Sequence, residues 1–150
     1  MRKQTRIIGI DYGMARIGLS CSDPTKLIAM PITVFQCEKK VEKTVEKLIA
    51  FLQDHTSKLE YEIESFVVGL PLLLSGKQGL LADEVNYFVE ELKKKSSIPV
   101  ILWDERLTTV QAERTLQQSS LTRKKRAKVV DVVSAVIILQ NYLDSQRRSF

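Results

Sequence analysis

The stretch Arg6 to Ser22, RIIGIDYGMARIGLSCS, sets a single carboxylate, Asp11, in otherwise apolar sequence marked by glycines. Ile7, Ile8 and Ile10 are β-branched and favour a pleated strand leading up to Asp11. From Arg16 to Ser22 the residues alternate, with Ile17, Leu19 and Cys21 on one face and Arg16, Gly18 and Ser20 on the other, the period of a strand. Two strands joined by a short turn follow, with Tyr12-Gly13-Met14-Ala15 as the joint. Gly13 could take a positive φ there and let backbone N–H groups approach an anion. Asp11 then reads either as a turn former or as an acid presented at a strand end. The G-x-D-x-G pattern of Gly9 to Gly13 is short, and what raises the second reading is the set of acids far downstream.

Beyond the hairpin, Asp23-Pro24-Thr25-Lys26 reads as a turn and Ile28 to Phe35 as a third strand. Pro31 lacks the N–H that a central strand donates, so this strand belongs at a sheet edge. Glu38 to about Lys58 carries Val41, Val45, Leu48, Ile49 and Leu52 on one helical face. The lone histidine, His55, lies near its end among polar residues and is expected to be solvated. Ile63 to Leu70 predicts a strand buried on both faces, and Leu80 to Lys95 a helix with Lys93, Lys94 and Lys95 as its solvated end. Pro99 to Trp103 is a short strand running into Asp104-Glu105-Arg106. Thr108 and Gln111 have capping-box spacing for a helix reaching about Gln118. Arg123 to Asp144 has no glycine or proline and is too long for a strand, which makes it a closing helix despite its Val and Ile content. The order predicts an α/β fold with a five-stranded mixed sheet, its first three strands antiparallel and the others parallel to strand 1, flanked by helices.

The bulk numbers set limits. With 150 residues, 44% of them hydrophobic and 27% charged, the chain reads as a single globular domain. A net charge of +5 favours anionic partners. Cys21 and Cys37 have no metal-like spacing and are expected to be reduced thiols. The apolar run near the N-terminus stops at Asp11, too short for a signal peptide, and Val129 to Leu139 is too short and too interrupted to span a membrane. A cytoplasmic protein with no membrane partner is the expectation.

Asp11 ends the first strand, the Asp104-Glu105 pair follows the last, and Asp131 lies among Val129, Val130, Val132, Val133, Ala135 and Val136 in the closing helix. An ionised carboxylate in such surroundings needs a partner; Lys128, at i−3, is the local candidate. If instead the acids converge, carboxylates about 5 Å apart repel by roughly 3 kcal/mol per pair at an effective dielectric of 20. A divalent cation removes that difficulty, and oxygen-only ligands favour Mg²⁺ or Mn²⁺ over zinc. Two such ions bridged by Asp11 would activate a water and stabilise the leaving oxygen of a phosphodiester.

Four blocks carry a family resemblance: Gly9-Ile10-Asp11-Tyr12-Gly13 with Arg16-Ile17-Gly18; Val68-Gly69-Leu70-Pro71; Asp104-Glu105-Arg106-Leu107-Thr108-Thr109 with Ala112-Glu113; and Lys128 to Asp131 with Ile138-Leu139-Gln140-Asn141-Tyr142-Leu143. In order and spacing the chain resembles the YqgF family of the RNase H-like superfamily, described as Holliday junction resolvases and linked to maturation of the 16S ribosomal RNA precursor. The resemblance implies an RNase H-like fold, metal-dependent cleavage of structured RNA or branched DNA, and Asp11, Glu105 and Asp131 as both the catalytic and the metal-binding acids. Choosing Glu105 over Asp104 rests on the resemblance alone. Two departures stand out: Leu72-Leu73-Leu74-Ser75-Gly76 is more apolar than the family's usual loop, and Ser134 replaces a common alanine.

Arg123, Lys124, Lys125, Arg126 and Lys128 put five cations in six positions at a helix start, where the dipole disfavours them. Lys124, Lys125, Arg126 and Lys128, with Arg16, Arg106, Thr108 and Thr109, are the candidate phosphate contacts. A junction resolvase also needs two active sites, which points to a homodimer. Two other readings compete. A sugar-kinase or actin-like phosphoryl site shares the D-x-G hairpin but needs two lobes. A nucleic-acid or ribosome-associated binding module with little or no catalysis would show steep salt dependence without cleavage.

Overall fold

Strand β1 (Gln4–Tyr12) lies at the centre of a five-stranded sheet because it is paired along both edges, antiparallel to β2 (Arg16–Ser22) and parallel to β4 (Tyr61–Leu70). The strand order is β3-β2-β1-β4-β5, with β3 at Ala29–Gln36 and β5 at Val100–Asp104. The computed structural model describes residues 3–13, 15–71, 79–104 and 123–147, with side chains of the last segment from residue 130 onward. Helices α1 (Val41–Leu59), α2 (Leu80–Lys95) and α3 (Arg123–Arg147) complete the described architecture. The helix expected from Thr108 and the loop from Leu72 to Gly76 lie outside the described residues.

The predicted edge strand is an edge strand. Its proline also coincides with an irregularity: Leu19 pairs with Thr33 but Ser20 with Pro31, so Ile32 is an extra residue on β3. A bulge there accommodates a residue that cannot donate to the ladder. The expectation for β4 holds as well, since Phe66, Val67 and Val68 are all buried.

Alternation divides the sheet into two unlike faces. Ile8, Ile10, Tyr12, Ile17, Leu19 and Cys21 pack with Val45, Leu48 and Leu52 of α1 and Val85, Phe88 and Leu92 of α2. Tyr12 stacks on Phe88 with ring centroids 4.5 Å apart, and burial pushes its phenol up to about 12. The opposite face receives α3, with Ile7 and Val67 against Ile138, Leu139 and Leu143. Each such buried aliphatic side chain contributes about 1.5–3 kcal/mol.

Two expectations are corrected, at His55 and at the end of β5. His55 is part-buried, not solvated: its Nδ1 lies 2.7 Å from the Tyr61 hydroxyl, its ring stacks on Phe51, and burial, with Arg6 nearby, lowers its pKa. Gly13 does not adopt a positive φ; a side chain there would come within 2.9 Å of the Arg16 carbonyl, which accepts the Gly13 N–H. β5 ends at Asp104, one residue beyond the expected end at Trp103. β5 is an edge strand separated from β1 by β4. Both cysteines are free, as expected, and among the described residues no helix is long and apolar enough to cross a membrane.

Candidate active site

Asp11 is half-buried near the end of β1, directly opposite Gly18 of β2. Residues facing each other across an antiparallel pair project to the same face, here the face that carries α3. Asp11 is therefore a strand residue, not a turn former. The sequence places no side chain at Gly18 because none fits: a Cβ there would overlap the backbone carbonyl of Asp131. One step further along, Gly9 does the same for the next helical turn, where a Cβ would lie 2.8 Å from that of Leu139 and 3.0 Å from the Ala135 carbonyl. Ser20 fixes the contact by donating its hydroxyl to that Ala135 carbonyl at 2.7 Å.

This close approach delivers Asp131 to the strand end that bears Asp11. Two of the three predicted acids, 120 positions apart along the chain, thus share one end of one face. Arg16, two residues before Gly18 and on the same side of β2, donates from Nε to Asp131 Oδ2 at 2.6 Å. Arg16 of β2 thus partners the half-buried acid, whereas the side chain of Lys128, the local candidate along the helix, lies outside the described residues. Glu105, Arg106, Thr108 and Thr109 lie outside the described residues, as do the side chains of Lys124, Lys125, Arg126 and Lys128, although these four positions fall in the first turns of α3. Among the described residues no three acidic, histidine or cysteine side chains form a metal-sized group.

Sheet register relates the end of β5 to the end of β1. Ile10 pairs with Val68, and Val68 with Leu102, so β1, β4 and β5 run level toward their carboxyl ends. Two strand spacings, about 10 Å, separate β1 from β5. Ile101 and Trp103 pack on the α3 face, Trp103 edge-on to Tyr142. By alternation Asp104 belongs to the opposite face, away from that of Asp11.

Asp11 and Asp131 present carboxylate oxygens, the hard donors that Mg²⁺ and Mn²⁺ prefer. The soft atom nearby is the Cys37 sulfur, which donates to the Gly13 carbonyl at 3.4 Å. Burial, then the charge of Asp131, pushes its thiol up. The described donors therefore fit a hard divalent cation.

Sequence reasoning named Gly18 and Ser134 only through the family resemblance and did not single out Ser20 or Cys37 as parts of this site; the buried Ser134 hydroxyl has no hydrogen-bond partner among the described residues. The alternation of small residues on one face of β2 was the available signal for Gly18 and Ser20, since such a strand face admits a backbone where it cannot pack side chains.

Comparisons with known proteins give the family and the fold. Residues 5–145 match the family model described as RuvX: Holliday junction resolvase. A relative from Protochlamydia amoebophila that carries the name pre-16S rRNA nuclease is 58% identical over 144 residues, covering 96% of each chain. A relative of the same name from Thermoanaerobacter pseudethanolicus is 43% identical, covering 95% of this chain and 98% of its own. In fold, the chain is similar to T. thermophilus RuvC in complex with a Holliday junction substrate, with a TM-score of 0.57, 15% identity and 97% coverage of both chains. The fowlpox virus Holliday junction resolvase gives a TM-score of 0.52 at 16% identity, covering 93% of this chain and 99% of its own.

Proposed function

We propose, for a chain that belongs to the RuvX Holliday junction resolvase family, that Asp11, Glu105 and Asp131 are the acids with which it hydrolyses phosphodiester bonds of nucleic acid. The chain is a nuclease of RNase H-like fold, and the chemistry of its family depends on a divalent metal. The observation that carries the residue assignment is the delivery of Asp131 across Gly18 to the end of β1 that bears Asp11. Asp104 alternates onto the other face, which favours Glu105 as the third acid.

Two Mg²⁺ or Mn²⁺ ions are the cofactor of this reading; when bound, they lower the pKa of an attacking water and stabilise the leaving oxygen. The chain's own part is to hold carboxylates on a rigid strand and a rigid helix, so that little reorganisation is needed during reaction. Arg16, with Arg106, Thr108, Thr109 and the basic start of α3, would position phosphates flanking the scissile one without reading bases.

The 5′ end of the 16S rRNA precursor is the substrate this reading takes first, because relatives of that name match over nearly the whole chain. The family description favours a second substrate, the four-way DNA junction, and with it a homodimer that brings two sites to one junction. The test is cleavage by the purified protein with Mn²⁺ of four-way junctions, single strands and precursor rRNA, beside Asp11→Asn. Wild-type cleavage of precursor rRNA that the variant lacks is the expected result; equal cleavage by the two proteins removes Asp11 from the mechanism.

A further inference from the structure

We infer that Arg16 is a positioning residue that couples metal binding to nucleic-acid binding, by holding Asp131 until a phosphate takes its guanidinium; this rests on the reading of Asp11 and Asp131 as metal ligands. The Nε–Oδ2 contact of 2.6 Å is a charge-assisted hydrogen bond on the oxygen set that a divalent cation would need. Two cations on one carboxylate compete for its lone pairs and repel each other. A phosphate, in contrast, offers the guanidinium a bidentate acceptor of the same geometry as a carboxylate.

The surroundings let the arginine move while the aspartate stays. Backbone on both sides of the pair is pinned: the Arg16 carbonyl accepts the Gly13 N–H at 2.9 Å, the Ala15 carbonyl accepts the Cys37 N–H at 2.9 Å, and the Asp131 carbonyl sits against Gly18. Asp131 is on a short stem, 22% exposed, whereas Arg16 has a long stem and is 32% exposed at its side chain. Exchange therefore occurs by rotation of Arg16 toward solvent, the direction from which a nucleic-acid strand arrives. Once the guanidinium is on phosphate, the full carboxylate is free for the cation. Nucleic acid and metal then each raise the affinity for the other by the same factor.

The test reads metal binding without turnover. Free Mn²⁺ is followed by electron paramagnetic resonance as it is titrated into wild type, Arg16→Gln and Arg16→Lys, and binding of a four-way junction and of precursor rRNA is measured in EDTA. Arg16→Gln should bind Mn²⁺ about 5-fold or more tighter than wild type, the scale of one salt bridge of about 1 kcal/mol, and bind nucleic acid several-fold more weakly. Arg16→Lys, which keeps the competing charge, should restore the weaker Mn²⁺ affinity. These opposite shifts distinguish the coupling from a strut that merely braces β2 on α3, whose loss would weaken both. Unchanged or weaker Mn²⁺ binding by a folded Arg16→Gln, with wild type binding normally, overturns the coupling and leaves the metal site standing. No Mn²⁺ binding by any of the three folded proteins overturns the metal reading and the coupling together.

Discussion

The two faces of the sheet are built on opposite principles. Toward α1 and α2, the strands fill space: Ile8, Ile10, Ile17 and Leu19 are fully buried against apolar helix residues. Toward α3, β1 and β2 withdraw volume, with Gly9, Gly18 and Ser20 admitting the helix backbone itself. The first face stabilises through transferred apolar area, which is tolerant of shape. The second fixes a helix to within the width of a methyl group, and that precision brings the Asp131 backbone onto Gly18, the residue paired with Asp11. Stability and chemistry are thus largely carried by different sides of the same strands.

Substitutions on the two faces should separate accordingly. Asp11→Asn has the largest expected effect on activity, a loss on the order of 10³-fold in cleavage rate for several kcal/mol of lost transition-state stabilisation, with little change in melting temperature because the residue is half-buried; single-turnover kinetics and thermal unfolding together check it. On the apolar face, Ile10→Ala should cost about 2–5 kcal/mol of stability, yet leave the cleavage rate per folded molecule within about twofold of wild type under stabilising conditions. Gly18→Ala reverses that split. Its methyl must displace the Asp131 backbone, costing about 1–3 kcal/mol and lowering activity well beyond the folded fraction, as denaturant melts run beside rates would show. Ser20→Ala removes one buried hydrogen bond to α3 and should cost about 1 kcal/mol.

The smallest effect concerns pH on the apolar side. Burial lowers the pKa of His55 in the folded state, so the unfolded chain binds a proton more readily than the folded one. Its contribution is present above the unfolded value and is lost as pH falls through the depressed folded value. Stability should therefore decline in acid, and His55→Gln should flatten that part of the profile; a decline of equal slope in the variant would assign it to other groups.

Much of the fold was legible because its signals are local. Helical spacing in α1, continuous apolar sequence in β4 and a proline in β3 each report on their own neighbourhood, and all three elements are found. The acids at residues 11 and 131 were also legible, as charged residues in apolar strand and helix sequence that need a reason to be there. What escaped depends on approach over long sequence distance. Arg16, which binds Asp131, is 115 residues away along the chain, beyond the reach of a search along the helix itself. The place of β5 at the edge follows from sheet order, which its five residues do not encode. His55 reads as solvated because its neighbours along the helix are polar, whereas Tyr61 reaches it from the next strand.

Anomalous diffraction from crystals grown with Mn²⁺ asks the decisive question. A peak bonded to carboxylate oxygens of both Asp11 and Asp131 is the predicted result. Manganese bound elsewhere on the molecule, with those two side chains making no shared contact to it, would contradict the account.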